Sequence, residues 1–309
     1  MKIIFWGTSS FAVPSLEKIA RKYEILSVIT QPDRKQGRHL RLKPSPVKVK
    51  AEKLSLKVRQ PENLNEESFL YFLRDAGTDL FVVVAYGNIL PREILNLPRI
   101  FSINLHASLL PKYRGAAPIS WAIWNGEEET GVTVIKMNEQ MDAGEIILQK
   151  RIPILEEDDA LTLGERLSIE GADLLLEAIE LIEKGKVIFL PQDEREVSFA
   201  PLLKKGDGRI DWKTPAKKIN AQIRALVPWP GSYCFWKNKL LKLWRAQVVE
   251  EDFRKSLPGE IVEIREEGFV VATGEGGLLI KELQLAGGKR MPVEKFIPGH
   301  HLEKGEFLA

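Results

Sequence analysis

An amide and an imidazole stand two residues apart in Asn104-Leu105-His106, at the end of an apolar run that starts at Phe101. Read as a strand, the run puts Asn104 and His106 on one face, with Leu105 packed behind them. A carboxamide donor beside an imidazole suits a reaction in which a carbonyl oxygen turns anionic while a proton changes hands. By itself such a pair is more often the polar rim of a strand. A second candidate, Gly7-Thr8-Ser9-Ser10-Phe11, keeps only the first glycine of the G-x-G-x-x-G dinucleotide fingerprint. It reads as a tight strand-to-helix turn, and hydride transfer from a nicotinamide is disfavoured. His106 has no companion at zinc-type spacing, and His300-His301 read as surface residues, so no metal is expected.

The elements that must position these residues alternate in type. Strands are expected over 2–6, 24–30, 80–85 and 101–106, with helices starting near Pro14 and after Pro46. Residues 80–85 read Leu-Phe-Val-Val-Val-Ala, which fits a strand covered on both faces of a parallel sheet. The alternation predicts an α/β fold with a doubly wound (Rossmann-like), mostly parallel sheet that holds ligands beyond the carboxyl ends of its strands. A helix over 161–183 carries Leu163, Leu167, Ala172, Leu175, Ile179 and Ile182 at helical spacing and stops at Gly185. After residue 207 a short helix is expected, capped by Thr214 with Pro215 at its first position. Short strands over 233–236, 240–246, 259–264, 268–273 and 278–285 then suggest an OB-type β-barrel. The expected organisation is a catalytic domain over 1–185, a linker over 186–206 and a barrel domain over 207–309.

Composition sets the remaining bounds. A chain of 309 residues has room for two domains, and 44% hydrophobic with 28% charged residues is ordinary for a folded globular protein. No apolar run approaches the ~20 residues that span a bilayer. The N-terminal stretch lacks the apolar segment of a signal peptide, and the single cysteine, Cys234, excludes an intrachain disulfide. The cytoplasm is the expected location and a monomer the expected state. A net charge of +2 says little about partners, but the charge is unevenly spread. Residues 34–59 hold ten Lys or Arg against one acid, and residues 213–245 hold eight and no acid. Such stretches are either solvated faces or footprints for a polyanion. Trp229, Phe235, Trp236 and Trp244 in the second stretch are expected in the barrel core.

The segment after His106 narrows the reading. It runs Ala107-Ser108-Leu109-Leu110-Pro111-Lys112-Tyr113-Arg114-Gly115, and Met141-Asp142-Ala143-Gly144 follows between strand candidates over 131–137 and 145–152. Asn-x-His, Ser-Leu-Leu-Pro and a later Asp-x-Gly together resemble the folate-dependent formyltransferase family. Gln31-Pro32-Asp33-Arg34, Ala85-Tyr86-Gly87, Ile89-Leu90-Pro91, Arg209-Ile210-Asp211-Trp212 and Pro228-Trp229-Pro230-Gly231 resemble its branch that acts on methionyl-tRNA. Ser9 departs from that branch, where Pro is usual, and so does Glu145, where Asp is common.

The resemblance implies transfer of a formyl group from 10-formyltetrahydrofolate, a co-substrate, to the α-amine of methionyl initiator tRNA. Asn104, His106 and Asp142 would then be catalytic, with Asp142 orienting His106 or acting through a water. It implies a folate site against Ser108, Leu109, Leu110 and Pro111, with backbone groups around Tyr86, Gly87 and Ile89 on the pterin edge. It also implies tRNA contacts from Arg38, with Arg41 and Lys43 in the same basic stretch, and from Lys217, Lys218 and Arg224 on the second-domain helix. Two other readings are formylation of a sugar-nucleotide amine and a non-catalytic tRNA-binding protein on the same fold. Arg38→Ala is expected to weaken tRNA binding in a salt-dependent way, measured by titration at several ionic strengths. Affinity that matches the wild type at every salt concentration would remove Arg38 from the interface.

Overall fold

The computed structural model of the chain describes residues 1–36, 41–251, 253 and 255–309. They form two compact units. One comprises Met1–Pro118, Glu129–Pro153 and Gly164–Pro201; the other comprises Ile119–Glu128, Ile154–Leu163 and Leu202–Ala309. Two short stretches from within the expected 1–185 domain therefore belong to the second unit, and the expected linker is shared between the two.

In the first unit seven strands form one sheet. They are β1 (Lys2–Gly7), β2 (Glu24–Ile29), β3 (Val58–Arg59), β4 (Leu80–Val84), β5 (Phe101–His106), β6 (Glu129–Lys136) and β7 (Ile146–Pro153). Their order is β7-β6-β5-β4-β1-β2-β3. The five from β3 to β5 are parallel, and the β6–β7 pair joins antiparallel beside β5. This is the doubly wound, mostly parallel sheet expected from the alternation of elements. Strand order reverses between β1 and β4, so the carboxyl ends of β1, β4 and β5 share the edge where open α/β sheets hold ligands.

The central strands are the ones with unbroken apolar runs, and β1 and β4 are buried from Ile3 through Gly7 and from Leu80 through Val84. Gly7 makes the tight turn: a Cβ there would lie 2.8 Å from a Phe5 ring carbon and 3.0 Å from the Val84 carbonyl oxygen. The long helix Ala160–Glu183 comes so close to β5 that a Cβ on Gly171 would lie 2.9 Å from Leu105 Cδ2. Leu105 thus faces the helix, and the alternation of the strand turns Asn104 and His106 to the other side.

In the second unit β8 (Ser232–Trp236), β9 (Lys239–Val249), β10 (Ile261–Arg265), β11 (Gly268–Ala272) and β12 (Gly277–Leu285) form an antiparallel sheet in the order β8-β9-β12-β11-β10. The C-terminal residues bond to both edges: Phe235 N donates to the Ala309 carbonyl at 2.7 Å and Ile261 N to the Glu306 carbonyl at 2.8 Å. The C-terminal segment thus bridges one end of β10 to β8. Helix Ala216–Ala225 drives Ile219 and Ile223 into the barrel core.

Three expectations for this unit are corrected. Thr214 does not cap the helix, which begins at Ala216 with Pro215 in the cap position. The Ala216 N–H is satisfied by the Glu275 carbonyl at 2.9 Å. Of the four aromatic residues assigned to the core only Trp236 enters it. Strand alternation turns Cys234 and Trp236 inward and Phe235 outward, while Trp229 is 50% exposed and Trp244 lies beneath the cations of Lys242 and Arg290. His301 is exposed, but His300 stacks on Phe296 with ring centroids 3.9 Å apart. Among the described residues no helix is long and apolar enough to cross a membrane.

Tyr86, whose backbone the resemblance sets near the pterin edge, has its ring in the core. It is 2% exposed, packs edge-on against Trp6 at 5.3 Å, and its hydroxyl has no hydrogen-bond partner among the described residues. Burial pushes its pKa up to about 12. The unfolded chain releases this proton near pH ~10, so stability due to the neutral phenol is lost as the pH climbs from ~10 towards ~12. Tyr86→Phe removes that loss and a buried unpaired hydroxyl whose desolvation costs about 1–3 kcal/mol. Urea unfolding is expected to show Tyr86→Phe at least as stable as wild type at neutral pH, with a shallower decline above pH ~10. A variant less stable at both pH values would mean the hydroxyl is bonded.

Candidate active site

His106 ends β5 with its imidazole 6% exposed and both ring nitrogens facing acceptors. Nε2 lies 2.9 Å from the Tyr113 carbonyl oxygen and Nδ1 lies 3.5 Å from Asp142 Oδ1. A carbonyl can only accept, so the neutral ring carries its hydrogen on Nε2 and turns the Nδ1 lone pair towards Asp142. Two residues earlier Asn104 is partly exposed on the same strand face. Its carboxamide makes no hydrogen bond among the described residues, so it is available as a donor.

Asp142 is placed by backbone geometry. It sits in the left-handed region at φ 53°, and its Oδ2 accepts from the Gly115 N–H at 2.9 Å. Gly144 completes the turn because a Cβ there would lie 1.8 Å from the Lys136 carbonyl oxygen. The glycine of Asp-x-Gly is thus a requirement for close backbone approach. Gly115 is similarly constrained, with φ 129° and a hypothetical Cβ 2.6 Å from the Ala200 carbonyl oxygen.

The segment between His106 and Gly115 wraps the imidazole. Ser108 is fully buried, and its Oγ donates to the Lys112 carbonyl at 2.6 Å. Thr133 Oγ1 bonds the Ser108 carbonyl at 2.6 Å and accepts from Leu110 N at 3.2 Å, while Gln149 Nε2 donates to the Leu110 carbonyl at 2.9 Å. Leu110 and Pro111 are buried as well. Of Ser108, Leu109, Leu110 and Pro111, only Leu109 keeps part of its side chain exposed. This turn is bonded to β6 and β7 and delivers the Tyr113 carbonyl to His106 and the Gly115 N–H to Asp142. The exposed candidates at the same sheet edge are Gly87, at φ 88° with nothing within 4 Å of a Cβ, and Ile89, 71% exposed. Tyr86 contributes no free carbonyl, since Thr8 Oγ1 donates to it at 2.7 Å.

The basic candidates fall in two places. Arg38 lies outside the described residues, as does the side chain of Arg41. Lys43 is exposed on a short hairpin pairing Arg34–Gln36 with Arg41–Lys43. The base of that hairpin is anchored by Asp33, which accepts from Lys48 Nζ at 2.8 Å and Gln60 Nε2 at 2.7 Å. Those two bonds hold its carboxyl below the usual range. In the second unit Lys217 and Lys218 line a groove of about 600 Å³ with Trp124, Arg209 and Gln222. Trp124 stacks on Trp121 at 5.1 Å with 12° between the rings. Arg224 is turned away into its own unit, donating from Nη1 to the Asp158 carbonyl at 2.6 Å.

Several site residues carry no signal in the sequence. Tyr113 and Gly115 act through backbone atoms, whose partners cannot be read from residue type. Gln192 and Ser198 lie in the stretch read as a linker. Yet Gln192 Nε2 donates to the Asp142 and Gly144 carbonyls at 2.7 and 2.8 Å, and Ser198 Oγ accepts from Tyr113 N at 2.9 Å. Trp124 lies far in sequence from the lysines it joins. Among the described residues no group of three His, Cys, Asp or Glu is placed to hold a metal ion.

The chain is similar to known proteins over its whole length. Residues 1–179 match the family model described as formyl transferase, and residues 202–301 match that described as formyl transferase, C-terminal domain. The methionyl-tRNA formyltransferase of Caldanaerobacter subterraneus is 45% identical over 310 residues, covering 100% of both chains. That of Moorella thermoacetica is 46% identical over 310 residues, covering 100% of this chain and 99% of its own. Among solved structures, WlaRD, a sugar 3N-formyl transferase crystallised with dTDP and 5-N-formyl-THF, has a TM-score of 0.69 at 23% identity, over 94% of this chain and 99% of its own. HypX from Aquifex aeolicus in complex with tetrahydrofolic acid has a TM-score of 0.66 at 19% identity, over 100% of this chain and 50% of that one. Matched in both halves by the family models and end to end by relatives at 45% and 46% identity, the chain belongs to the formyl transferase family.

Proposed function

We propose that this protein transfers the formyl group of 10-formyltetrahydrofolate to the α-amine of methionyl initiator tRNA, giving formylmethionyl-tRNA for translation initiation. The observation that carries the chemistry is the His106 ring, held between the Tyr113 carbonyl and Asp142 two residues from an unbonded Asn104 amide. The full-length identity to methionyl-tRNA formyltransferases supports the acceptor, against 23% for the sugar enzyme WlaRD. The carboxyl edge of the sheet suits a reduced pteridine with its aromatic tail. Gly87 leaves backbone accessible there, and Ile89 and Met141, 71% and 56% exposed, offer apolar contact.

10-Formyltetrahydrofolate supplies the formyl carbon and, at N10, the nitrogen that leaves. Asn104 donates a hydrogen bond to the formyl oxygen as it gains charge. His106 takes the proton of the attacking amine at Nδ1, because Nε2 is engaged with Tyr113. Asp142 then faces the charged ring from 3.5 Å, and with the two side chains only 7% and 14% exposed little water screens them. The same proton can pass to N10 as the tetrahedral centre collapses. Arg209, Lys217 and Lys218, which share a groove with Asp207 and Asp211, would pair with phosphates and fix the tRNA without reading its sequence. We read the first unit as catalytic and the second as tRNA-binding, in a monomeric cytoplasmic enzyme.

The test is a formyl-transfer assay with methionyl initiator tRNA, methionyl elongator tRNA and an amino-sugar nucleotide as acceptors. Preference for the initiator tRNA is expected; preference for the sugar amine would replace the acceptor, and no transfer to any would remove the enzyme reading. Asn104→Ala and His106→Ala are each expected to lower kcat by ~10²–10³-fold with tRNA affinity unchanged. Near-normal turnover in either variant would take that residue out of the mechanism.

A further inference from the structure

The inference rests on the reading of His106 and Asp142 as the catalytic pair. We propose that Gln192 is a positioning residue for this pair, held in register by Arg114 and Glu194.

The Gln192 amide is saturated on both sides. Nε2 gives its two hydrogens to the Asp142 carbonyl at 2.7 Å and the Gly144 carbonyl at 2.8 Å. Oε1 accepts from Arg114 Nε at 3.0 Å and Nη2 at 2.7 Å. A flipped amide would set its NH₂ against the guanidinium donors, so the orientation is fixed. Arg114 is 6% exposed and spends its remaining donors on Glu194, with Nη2 to Oε1 at 2.8 Å and Nη1 to Oε2 at 3.3 Å. That guanidinium keeps the Glu194 carboxyl below its usual range. Arg114 also reaches the pair through the backbone, because the next residue, Gly115, donates its N–H to Asp142 Oδ2 at 2.9 Å.

Asp142 needs such support. At φ 53° Asp142 sits in the left-handed region, which Asp enters more readily than most residues but which local bonds still have to hold. Gln192 bonds both carbonyls of the turn that carries Asp142, while Gly115 holds the carboxylate from the other side. Without the Gln192 donors the turn is free to relax, and Asp142 Oδ1 loses its alignment with His106 Nδ1. Gln192 approaches no reacting atom, so its effect is on the rate of the chemical step.

Gln192→Glu tests this directly. It keeps the size of the side chain and its acceptor towards Arg114 but removes both donors to the turn. The expected result is a fall of ~10–100-fold in kcat, in line with a misplacement of about 1 Å, with KM for folate and for tRNA within about twofold of wild type. Nitrogen-15 NMR of histidine-labelled protein is expected to show the His106 Nδ1 resonance displaced and those of His300 unmoved. Should Gln192→Glu melt well below wild type, Glu194→Gln replaces it, with the same displacement at reduced size. A kcat within twofold of wild type, KM rising in proportion to the loss of kcat, or an unmoved Nδ1 resonance overturns the proposal. The resonance needs no substrate, so it decides the role of Gln192 even if the acceptor is an amine other than methionyl-tRNA.

Discussion

An imidazole buried at the end of a strand, with one nitrogen on a carbonyl and the other facing a carboxylate, is the constraint that organises the candidate site of the first unit. His106 cannot rotate without giving up the Tyr113 carbonyl, and it is too buried to exchange that bond for water. Its useful nitrogen is therefore decided by the backbone that wraps it. Much of the local architecture serves this one orientation. The Ser108–Pro111 turn is tied to β6 and β7 through Thr133 and Gln149. Gly171 lets the long helix press on Leu105 from behind, which fixes the face on which Asn104 and His106 emerge.

The carboxylate is held by a different principle. Asp142 adopts a left-handed backbone conformation, which Asp tolerates better than most residues, and bonds to its side chain and its carbonyl hold it there. Glycines at 115 and 144 permit the close approaches that make those bonds possible. A residue held in this way by its neighbours gives a preorganised charge, which need not be reoriented as the reaction proceeds. The rim towards solvent is less constrained, and Gly87, Ile89 and Met141 stand exposed there. Buried groups thus set the chemistry, while exposed ones are left for recognition.

The second unit works with charge placement. A net charge of +2 over 309 residues gives no long-range pull on an anion. One groove gathers Arg209, Lys217 and Lys218 beside Trp124 together with Asp207 and Asp211, so its charge is mixed with a small positive excess that salt would screen. Arg224, nearly two helical turns on from these lysines, is instead committed to the Asp158 carbonyl inside its own unit. Basic residues close in sequence therefore divide between surface and structure.

Periodicity and residue type alone determined the sheet, the long helix and the barrel strands, while Asn104, His106 and Asp142 were singled out together only by the family resemblance. Burial on one face or two writes itself into the apolar pattern, as in residues 80–85, and Asn104-x-His106 fixes a shared strand face through the two-residue repeat. Only the tertiary structure decided which atoms meet. It placed the Tyr86 ring in the core, sent Phe235 outward and Trp236 inward, and moved the start of a helix from Pro215 to Ala216. It also drew Gln192 and Ser198 out of an apparent linker to brace the active site. Those contacts join backbone carbonyls and N–H groups far apart in the chain, and every residue type offers the same carbonyl, so no pattern of side chains could have announced them.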